Sequence, residues 1–256
     1  MLLNGTLCLV TGAARGIGQA TADALATVGA RVLVIDIDAA AAQQVATDIT
    51  TRGGSAYAYA CDVANDAQVA ALASDITQTH GTPDLLINNA FARQFARGTL
   101  DNVDLEIYKR AFDINVLGNI RMHQAFLPGM FERDSGHIVD TASSLSIVPN
   151  ADTQMLLPYI ASKGAILGMA YGMRHALQAR GIGYSVFCPG LTDTRPAHEQ
   201  AIAVHPQAAA PAAHAAQILL AGITRGDFLI SSEPDFETRI VRLAQHNLDP
   251  LKLFAE

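Results

Sequence analysis

The chain has 256 residues and a formal net charge of −7, and it is 50% hydrophobic with only 16% charged residues. That length suits one large α/β domain or two small ones, and the composition argues against a disordered chain. The acidic excess and the lack of tryptophan argue against a nucleic-acid binder, because the chain has no basic field and few side chains on which bases would stack.

Short apolar runs alternate along the chain with longer, alanine-rich amphipathic stretches. This βαβ alternation predicts a parallel, doubly wound sheet with right-handed crossovers. The predicted strands are residues 7–10, 31–35, 56–61, 85–87, 137–139 and 183–187. The predicted helices are residues 16–28, 39–51, 66–79, 105–127 and 159–179. No linker, charge run or repeat divides the chain, so we expect residues 1–256 to form one domain, with a lid insertion around residues 192–215.

A glycine-rich turn, Thr-Gly-Ala-Ala-Arg-Gly-Ile-Gly at residues 11–18, directly follows the first predicted strand. Glycines permit a tight turn and a close approach of backbone to a ligand, and the helix beyond them presents unpaired N–H groups to a pyrophosphate. The turn therefore predicts a dinucleotide site. Its expected contacts are Gly12, Arg15, Gly16, Ile17 and Gly18.

The second predicted strand ends in an acid, Asp36, 18 residues after Gly18. A carboxylate at that strand end accepts hydrogen bonds from both ribose hydroxyls of adenosine and repels a 2′-phosphate, which favours NAD over NADP. Arg15 instead favours NADP, because a basic residue beside the ribose tolerates a 2′-phosphate. The sequence therefore favours NAD and leaves NADP as the alternative.

Tyr159 and Lys163 are four residues apart in a predicted helix, so their side chains share one face. A free tyrosine titrates near ~10 and is a poor base at neutral pH, whereas a neighbouring cation favours the phenolate and should lower its pKa. The pair is predicted to transfer a proton. A hydroxyl partner is expected from the end of the preceding strand, where Ser143 and the adjacent Ser144 are the two candidates.

The order of these motifs resembles the short-chain dehydrogenase/reductase family, from Thr11 to Thr194. The resemblance implies a Rossmann-type sheet of about seven strands flanked by helices. It also implies an NAD(H)-dependent enzyme that interconverts a secondary alcohol and a ketone. Further residues that the resemblance places along the cofactor are Asp62, Val63, Asn89, Ala90, Tyr159, Lys163, Pro189, Gly190, Thr192 and Thr194.

The resemblance also implies the catalytic roles. Tyr159 would take the proton of the alcohol, while Lys163 would bind the nicotinamide ribose and stabilise the phenolate. Ser143 would position the substrate oxygen, and Asn115 would bind a water that relays the proton. Phe91 stands where the family usually has glycine, and we expect Ser143, Phe91 and Leu156 to contact an apolar or ring-containing substrate.

Several further expectations concern assembly and setting. Small residues along the helix after Tyr159 suggest tight packing within the subunit or against another, and the resemblance implies a homotetramer. The three cysteines Cys8, Cys61 and Cys188 are expected to be buried free thiols. No metal, nucleic-acid or membrane site is predicted, and a cytoplasmic location is expected. The alternatives are an NADPH-preferring carbonyl or 3-oxoacyl-type reductase and a non-catalytic dinucleotide sensor.

Overall fold

The structure is a computed structural model that describes residues 1–92, 101–149, 156–194 and 209–249. Its strands in chain order are β1 (Leu7–Thr11), β2 (Arg31–Asp36), β3 (Ser55–Ala60), β4 (Leu85–Asn88), β5 (Gly136–Thr141), β6 (Ile182–Cys188), β7 (Thr192–Asp193), β8 (Ala210–Pro211) and β9 (Leu229–Ser231). Seven of them form one parallel sheet in the order β3-β2-β1-β4-β5-β6-β9, and β7 pairs with β8 separately. The predicted doubly wound sheet is confirmed.

Helices cover both faces of this sheet. They are α1 (Gly16–Thr27), α2 (Ala39–Thr51), α3 (Asp66–Thr79), α4 (Leu105–Phe112), α5 (Gly118–Glu132), α6 (Leu157–Gln178), α7 (Ala212–Arg225) and α8 (Phe236–Gln245). Helices α3, α5, α6 and α8 bury apolar side chains against one face, whereas α1, α2 and α7 do so against the other. No helix in the described ranges combines the length and the apolarity needed to cross a lipid bilayer.

The central strands are apolar on both sides because both faces of the sheet are covered. In β4 every residue is buried, and side chains alternate between the two cores. Leu86 packs with the helices of one face, while Leu85 and Ile87 pack with those of the other. This explains why the sequence there is a continuous apolar run rather than an alternating one.

The order of the strands places the sequence motifs at one edge. The chain winds outward in opposite directions from the neighbouring strands β1 and β4, which leaves a crevice at their carboxyl ends. The glycine-rich turn follows β1, and the Asn88–Asn89 pair ends β4. Strands β5 and β6 end beside them at Thr141 and Cys188. Parallel pairing thus brings four distant stretches of sequence to a common site.

Two parts of the predicted element order are corrected. The single helix predicted over residues 105–127 is interrupted by a π-helical turn, Asp113–Leu117, between α4 and α5. Helices α7 and α8 and strand β9 were not predicted, and α7 begins inside the stretch assigned to a lid. Residues 195–208 of that stretch lie outside the described residues, so the lid stays a prediction.

Candidate active site

The glycine-rich turn is compact because three of its residues lack side chains. Gly12 and Gly16 have φ angles of 63° and 55°, in the left-handed region that favours glycine. A Cβ on Gly18 would lie 2.1 Å from the carbonyl oxygen of Gly12, so only glycine lets the helix start this close to the turn. A Cβ on Gly16 would lie 2.8 Å from Cβ of Thr194, which places the segment after β6 directly over the turn.

The N-terminus of α1 points out of this turn without a side-chain cap. Arg15 occupies the capping position in an extended conformation, is exposed, and makes no side-chain hydrogen bond to the helix. The first amide groups of a helix have no partner within the helix, and the dipole there is positive. Half-buried Ile17 follows in the first turn. The arrangement suits a phosphate group bound by backbone N–H groups.

Asn89 and Ala90 fix the turn from the neighbouring strand. The side-chain Nδ2 of Asn89 donates to the carbonyl oxygens of Thr11 and Gly12 at 3.1 and 3.2 Å. The Thr11 hydroxyl accepts from the backbone N–H groups of both Asn89 and Ala90 at 3.0 Å. Asn89 therefore shapes the cofactor cleft by bracing its wall, and Thr11 is a supporting residue that the sequence did not single out.

Asp36 lies at the end of β2 and is buried beside the turn. Its Oδ2 accepts from the backbone N–H of Ala14 at 3.0 Å, and its Oδ1 accepts from that of Asp38 at 3.1 Å. Each carboxylate oxygen has two lone pairs, so both retain capacity to accept from ribose hydroxyls. Position and remaining acceptor capacity both suit the role predicted for Asp36.

Asp62 and Val63 follow β3 at the same edge and behave differently. The Asp62 carboxylate accepts from the backbone N–H of Ala64 at 2.9 Å, which forms a local turn. Val63 is buried against Gly118 at the start of α5, where a Cβ would lie 2.9 Å from Cγ2 of Val63. The Val63 side chain thus packs in the protein interior, which leaves its backbone as the part able to meet a cofactor.

The segment after β6 closes the other side of the cleft. The carbonyl oxygen of Pro189 accepts from the backbone N–H of Ser144 at 3.1 Å, and Gly190 donates its N–H to the Ser232 hydroxyl at 3.2 Å. The Thr192 hydroxyl donates to the Gly190 carbonyl at 2.8 Å. These contacts tie Pro189 to Ser144 after β5 and Gly190 to Ser232 after β9, while Thr192 bonds within the segment itself.

Tyr159, Lys163 and Ser143 meet at the carboxyl end of β5. Tyr159 and Lys163 lie one turn apart in α6, and the Tyr159 hydroxyl is hydrogen-bonded to Ser143. Lys163 Nζ is buried, lies 5.8 Å from the centroid of the Tyr159 ring and donates to the carbonyl oxygen of Thr141 at 2.6 Å. Phenol, ammonium and hydroxyl groups are thereby gathered at one point of the cleft.

The electrostatics of this group differ from the expectation in one respect. Burial raises the pKa of Tyr159 above its ordinary value, and the hydrogen bond with Ser143 offsets only part of that rise. Burial also lowers the pKa of Lys163 to about 8, against the opposing influence of Asp140. The expected lowering of the Tyr159 pKa is therefore wrong for this structure, because burial is the largest influence on the phenol and raises its pKa.

The two candidate serines have different partners. Ser144 is buried and donates its hydroxyl to Oε2 of Glu233 at 3.2 Å, and Glu233 in turn pairs with Arg239 at 2.8 Å. Ser143 bonds to Tyr159 instead, and its Oγ also accepts from the backbone N–H of Leu145 at 3.3 Å. Only Ser143 therefore joins the Tyr159 group. Glu233 was missed by the sequence because it lies 89 residues from its partner Ser144.

Asn115 lies in the π-helical turn and is fully buried. Its Nδ2 donates to the Ser162 hydroxyl at 2.8 Å, and its Oδ1 accepts from the backbone N–H of Ala92 at 2.8 Å. The side chain thus ties α6 to the segment after β4, and its acceptor oxygen is already engaged. The predicted binding of a water by Asn115 stays a prediction, because one lone pair of Oδ1 and one N–H of Nδ2 remain beyond these contacts.

Of the predicted substrate residues, Phe91 has the clearest placement. Its ring is 41% exposed and meets the Tyr159 ring edge-on, with centroids 6.4 Å apart. Leu156 is half-buried immediately before α6, three residues before Tyr159. The neighbouring stretches 93–100 and 150–155 lie outside the described residues. Phe91 thus forms an apolar wall beside the phenol.

Comparison with known proteins places this geometry in a family. A family profile described as short chain dehydrogenase matches residues 6–203. The chain belongs to the short-chain dehydrogenase/reductase family. The resemblance of the sequence to this family is confirmed, and membership supports an oxidoreductase.

Relatives of this short-chain dehydrogenase/reductase differ in length. A "Probable oxidoreductase EphD" of Mycobacterium tuberculosis is 37% identical over 190 residues, which cover 74% of this chain and only 31% of the relative. The chain thus matches about a third of that longer protein. A galactitol 2-dehydrogenase of Agrobacterium fabrum is 36% identical over 75% of this chain and 73% of its own.

Solved structures of the family share the fold over most of the chain. A short-chain dehydrogenase/reductase from Burkholderia phymatum in complex with NAD has a TM-score of 0.85 at 25% identity, covering 97% of this chain and 95% of its own. A metagenomic short-chain oxidoreductase in complex with NADP has a TM-score of 0.72 at 28% identity, covering 86% and 92%. The Rossmann-type architecture is therefore shared with dinucleotide-bound members.

Proposed function

We propose that this protein is an NAD(H)-dependent oxidoreductase that interconverts a secondary alcohol and a ketone. The observation that carries the proposal is the hydrogen bond between Tyr159 and Ser143, with the Lys163 ammonium 5.8 Å from the Tyr159 ring. These three groups lie at the carboxyl edge of the sheet, where open α/β folds bind their ligands. The family relationship and the dehydrogenases among the relatives support the same reaction.

The residues present fit a nicotinamide dinucleotide. Because Gly12, Gly16 and Gly18 lack side chains, the backbone of the turn is open to close approach by a ligand. The uncapped N-terminus of α1 would hold the pyrophosphate. Asp36 would accept from the adenosine ribose, which favours NAD, while exposed Arg15 supports NADP as the second candidate. The structural relatives include complexes with each cofactor, so this choice rests on Asp36.

The cofactor supplies hydride transfer when it is bound, and the protein supplies position and protons. In carbonyl reduction the Tyr159 hydroxyl gives its proton to the substrate oxygen, and in alcohol oxidation it takes that proton back. Ser143 holds the same oxygen by a hydrogen bond, which fixes the reacting carbon in place. The Lys163 ammonium stabilises the negative charge left on Tyr159 and would bind the nicotinamide ribose. Asn115 positions α6 through Ser162.

The substrate side favours an apolar or ring-containing compound. Phe91 presents an exposed ring beside Tyr159, at a position where the glycine usual in the family would leave open space. An aromatic side chain in that position contributes apolar contact and edge-to-face packing rather than hydrogen bonds. Leu156 precedes α6 and would extend this apolar wall. A ketone with a bulky apolar group therefore suits the cleft better than a polyol.

We also propose a homotetramer in which α6 packs against another subunit. A Cβ added to Gly164, Gly168 or Gly172 would meet no described atom within 4 Å, so these glycines face outward along one side of α6. The nearby side chains of Leu105 and Tyr171 are each 69% exposed. Close approach of a second helix would explain both features. Light scattering tests it, and a mass of one subunit of 27.0 kDa would contradict it.

An absorbance assay tests the reaction. We expect NADH formation with chiral secondary alcohols and NADH consumption with their ketones, fastest for compounds that carry an aryl or alicyclic group. Repeating the assay with NADPH in place of NADH, on the same substrates, tests which cofactor the enzyme prefers. Activity that is flat across the panel would favour the non-catalytic dinucleotide sensor, and a clear preference for NADPH would overturn the role of Asp36.

A further inference from the structure

Arg121 in α5 reaches back along its helix to the π-helical turn at Asp113–Leu117. Its Nη1 donates to the carbonyl oxygen of Asp113, eight residues earlier, at 3.2 Å and lies 2.9 Å from Oδ1 of the same residue. Side chains of a helix lean toward its N-terminus, so an arginine after the turn is well placed to bind a residue before it. Only 19% of the Arg121 side chain is exposed. Arg121 is therefore packed against the turn.

The carbonyl oxygen that Arg121 binds is the one that closes the π-helical turn. The backbone N–H of Gly118 donates to the carbonyl of Asp113, five residues earlier, whereas an α-helix bonds residues four apart. A carbonyl oxygen has two lone pairs, so it accepts from Gly118 and from the guanidinium together. π-Helical turns are rare in proteins, so a local interaction that stabilises one is informative. Arg121 supplies that interaction here.

The turn places Asn115 between two parts of the active site. Asn115 Nδ2 donates to the Ser162 hydroxyl at 2.8 Å, and that hydroxyl donates to the carbonyl oxygen of Tyr159 at 2.7 Å. Asn115 Oδ1 accepts from the backbone N–H of Ala92, next to Phe91, at 2.8 Å. Successive residues of an α-helix are rotated by roughly 100°, so relaxing the turn to α-helix would rotate Asn115 relative to one end of the helix by that angle. These contacts would then be lost.

A second contact ties Arg121 to the neighbouring helix α3. Its Nε donates to the carboxylate of Asp66, the first residue of α3. The Asp66 side chain is 86% exposed, and an ion pair that open to solvent contributes little to stability. The Asp113 side chain is 43% exposed, and the contact with its carbonyl oxygen bears directly on the turn. The contact with Asp113, rather than that with Asp66, is therefore expected to stabilise the turn.

We propose that Arg121 is a positioning residue, which stabilises the π-helical turn and so keeps Asn115 in contact with Ser162 and Ala92. The proposal rests on the proposed function, because it treats Tyr159 as the proton donor. Arg121 acts through Asn115 and Ser162 on the first turn of α6, which carries the phenol. Loss of its guanidinium should therefore impair the chemical step more than the binding of the cofactor.

Hydrogen exchange reports on the turn without cofactor or substrate. The variant Arg121→Met keeps an unbranched apolar stem and removes the guanidinium. We expect the backbone amides of residues 115–118 and of Ala92 to exchange about 10-fold faster than in the wild type, because the turn opens locally. NMR resolves these amides one by one. Dividing their rates by those of the buried β1 amides in the same sample removes any global loss of stability.

Arg133→Met is the matched control. Arg133 follows the same helix α5 and donates to the carbonyl oxygens of Thr82 and Pro83 at 3.1 and 2.7 Å. It also pairs with the Asp84 carboxylate at 3.1 Å, just before β4 and at the end of that strand away from the active site. Its loss should lower the melting temperature and leave the relative exchange of residues 115–118 at the wild-type value.

Steady-state kinetics give the second readout. In Arg121→Met we expect kcat for ketone reduction to fall by about 10-fold, as for a misplaced proton donor, while KM for NADH changes by less than about 2-fold. Arg121→Lys should recover part of kcat, because its ammonium group still binds an oxygen of Asp113. In an Asn115→Ala background, Arg121→Met should cost no further rate, since Arg121 acts through Asn115.

Two results would overturn the proposal. One is wild-type exchange of residues 115–118 and Ala92 in folded Arg121→Met, and the other is a loss of kcat that multiplies with that of Asn115→Ala. Should Arg121→Met fail to fold, Arg121→Gln replaces it, since its shorter side chain does not reach Asp113. A wild-type chain with no oxidoreductase activity would instead refute the proposed function, while faster exchange in the variant would still show that Arg121 stabilises the turn.

Discussion

Lys163 lies one helical turn after Tyr159, with its ammonium nitrogen 5.8 Å from the centroid of the tyrosine ring. The nitrogen donates to the Thr141 carbonyl rather than to the phenol, so the two groups interact through space. Burial moves the pKa of Tyr159 up and that of Lys163 down to about 8. At neutral pH the pair is therefore a phenol beside an ammonium group, which is the protonation state that carbonyl reduction requires.

The first prediction concerns pH. Lys163 is charged below its pKa of about 8 and loses that charge above it, so the stabilisation of the Tyr159 anion is lost as the pH rises. We expect kcat/KM for ketone reduction to be level near neutral pH and to fall above about 8. Initial rates across buffers of constant ionic strength measure this. A profile that stays level far above that pH would contradict the role of Lys163.

The second prediction separates the two serines. Ser143→Ala should lower kcat by about 10²-fold or more, because the substrate oxygen loses a group that positions it and donates a hydrogen bond. Ser144→Ala is the matched control, since its hydroxyl donates to Glu233 at 3.2 Å rather than to the Tyr159 group. Its rate should stay within a few-fold of wild type. Steady-state rates of both variants distinguish the two serines. Equal losses of kcat would contradict the assignment of Ser143 alone as the catalytic hydroxyl.

The third prediction concerns cofactor choice. Asp36→Ser should lower kcat/KM for NAD by about 10- to 100-fold, the effect of losing a charged hydrogen-bond acceptor, and raise the relative use of NADP. Asp38→Ser is the control, because the Asp38 side chain accepts from the backbone N–H of Ala41 and caps α2. Its preference should match that of the wild type. If Asp36→Ser keeps the wild-type ratio, Asp36 does not choose the cofactor.

The fourth prediction concerns the substrate wall. Phe91→Ala should raise KM for ketones with a bulky apolar group by about 10-fold, as expected for loss of one buried aromatic contact. The KM of a small ketone should change little, because it does not reach the ring. Comparing the two substrates in one variant cancels any general loss of activity. Equal changes in both KM values would remove Phe91 from substrate recognition.

Local signals were sufficient for much of the fold. Helices α2 and α3 begin and end where the sequence predicted, since each starts after a polar cap, Asp38 or Asn65, whose side chain accepts from the helix backbone. The break at Asp113–Leu117 could not be predicted, because its contacts form only after α6 packs nearby and Asn115 reaches Ser162. Strand β9 is three residues long, and its pairing with β6 depends on distant sequence.

The site was predictable in position more than in electrostatics. Spacing alone placed Tyr159 and Lys163 on one helix face, and the end of β5 supplied Ser143. The predicted direction of the Tyr159 pKa shift was wrong, because the sequence shows which charged residue lies nearby but not how deeply the phenol is buried. The buried hydrogen bonds of Asp140 with Asn88, His123 and Tyr184 were missed for a similar reason. These four residues come from four different elements, and none of them forms a recognisable motif alone.

The most direct test of the account is the variant Tyr159→Phe, which removes one oxygen atom from the phenol. Single-turnover reduction of a ketone by bound NADH should slow by at least about 10²-fold, because no group at that position delivers the proton. The affinity for NADH, followed by its fluorescence, should stay close to wild type, since the substitution leaves the glycine-rich turn, Asp36 and Lys163 in place. A variant that reduces the ketone at the wild-type rate would contradict the assignment of Tyr159 and the mechanism built on it.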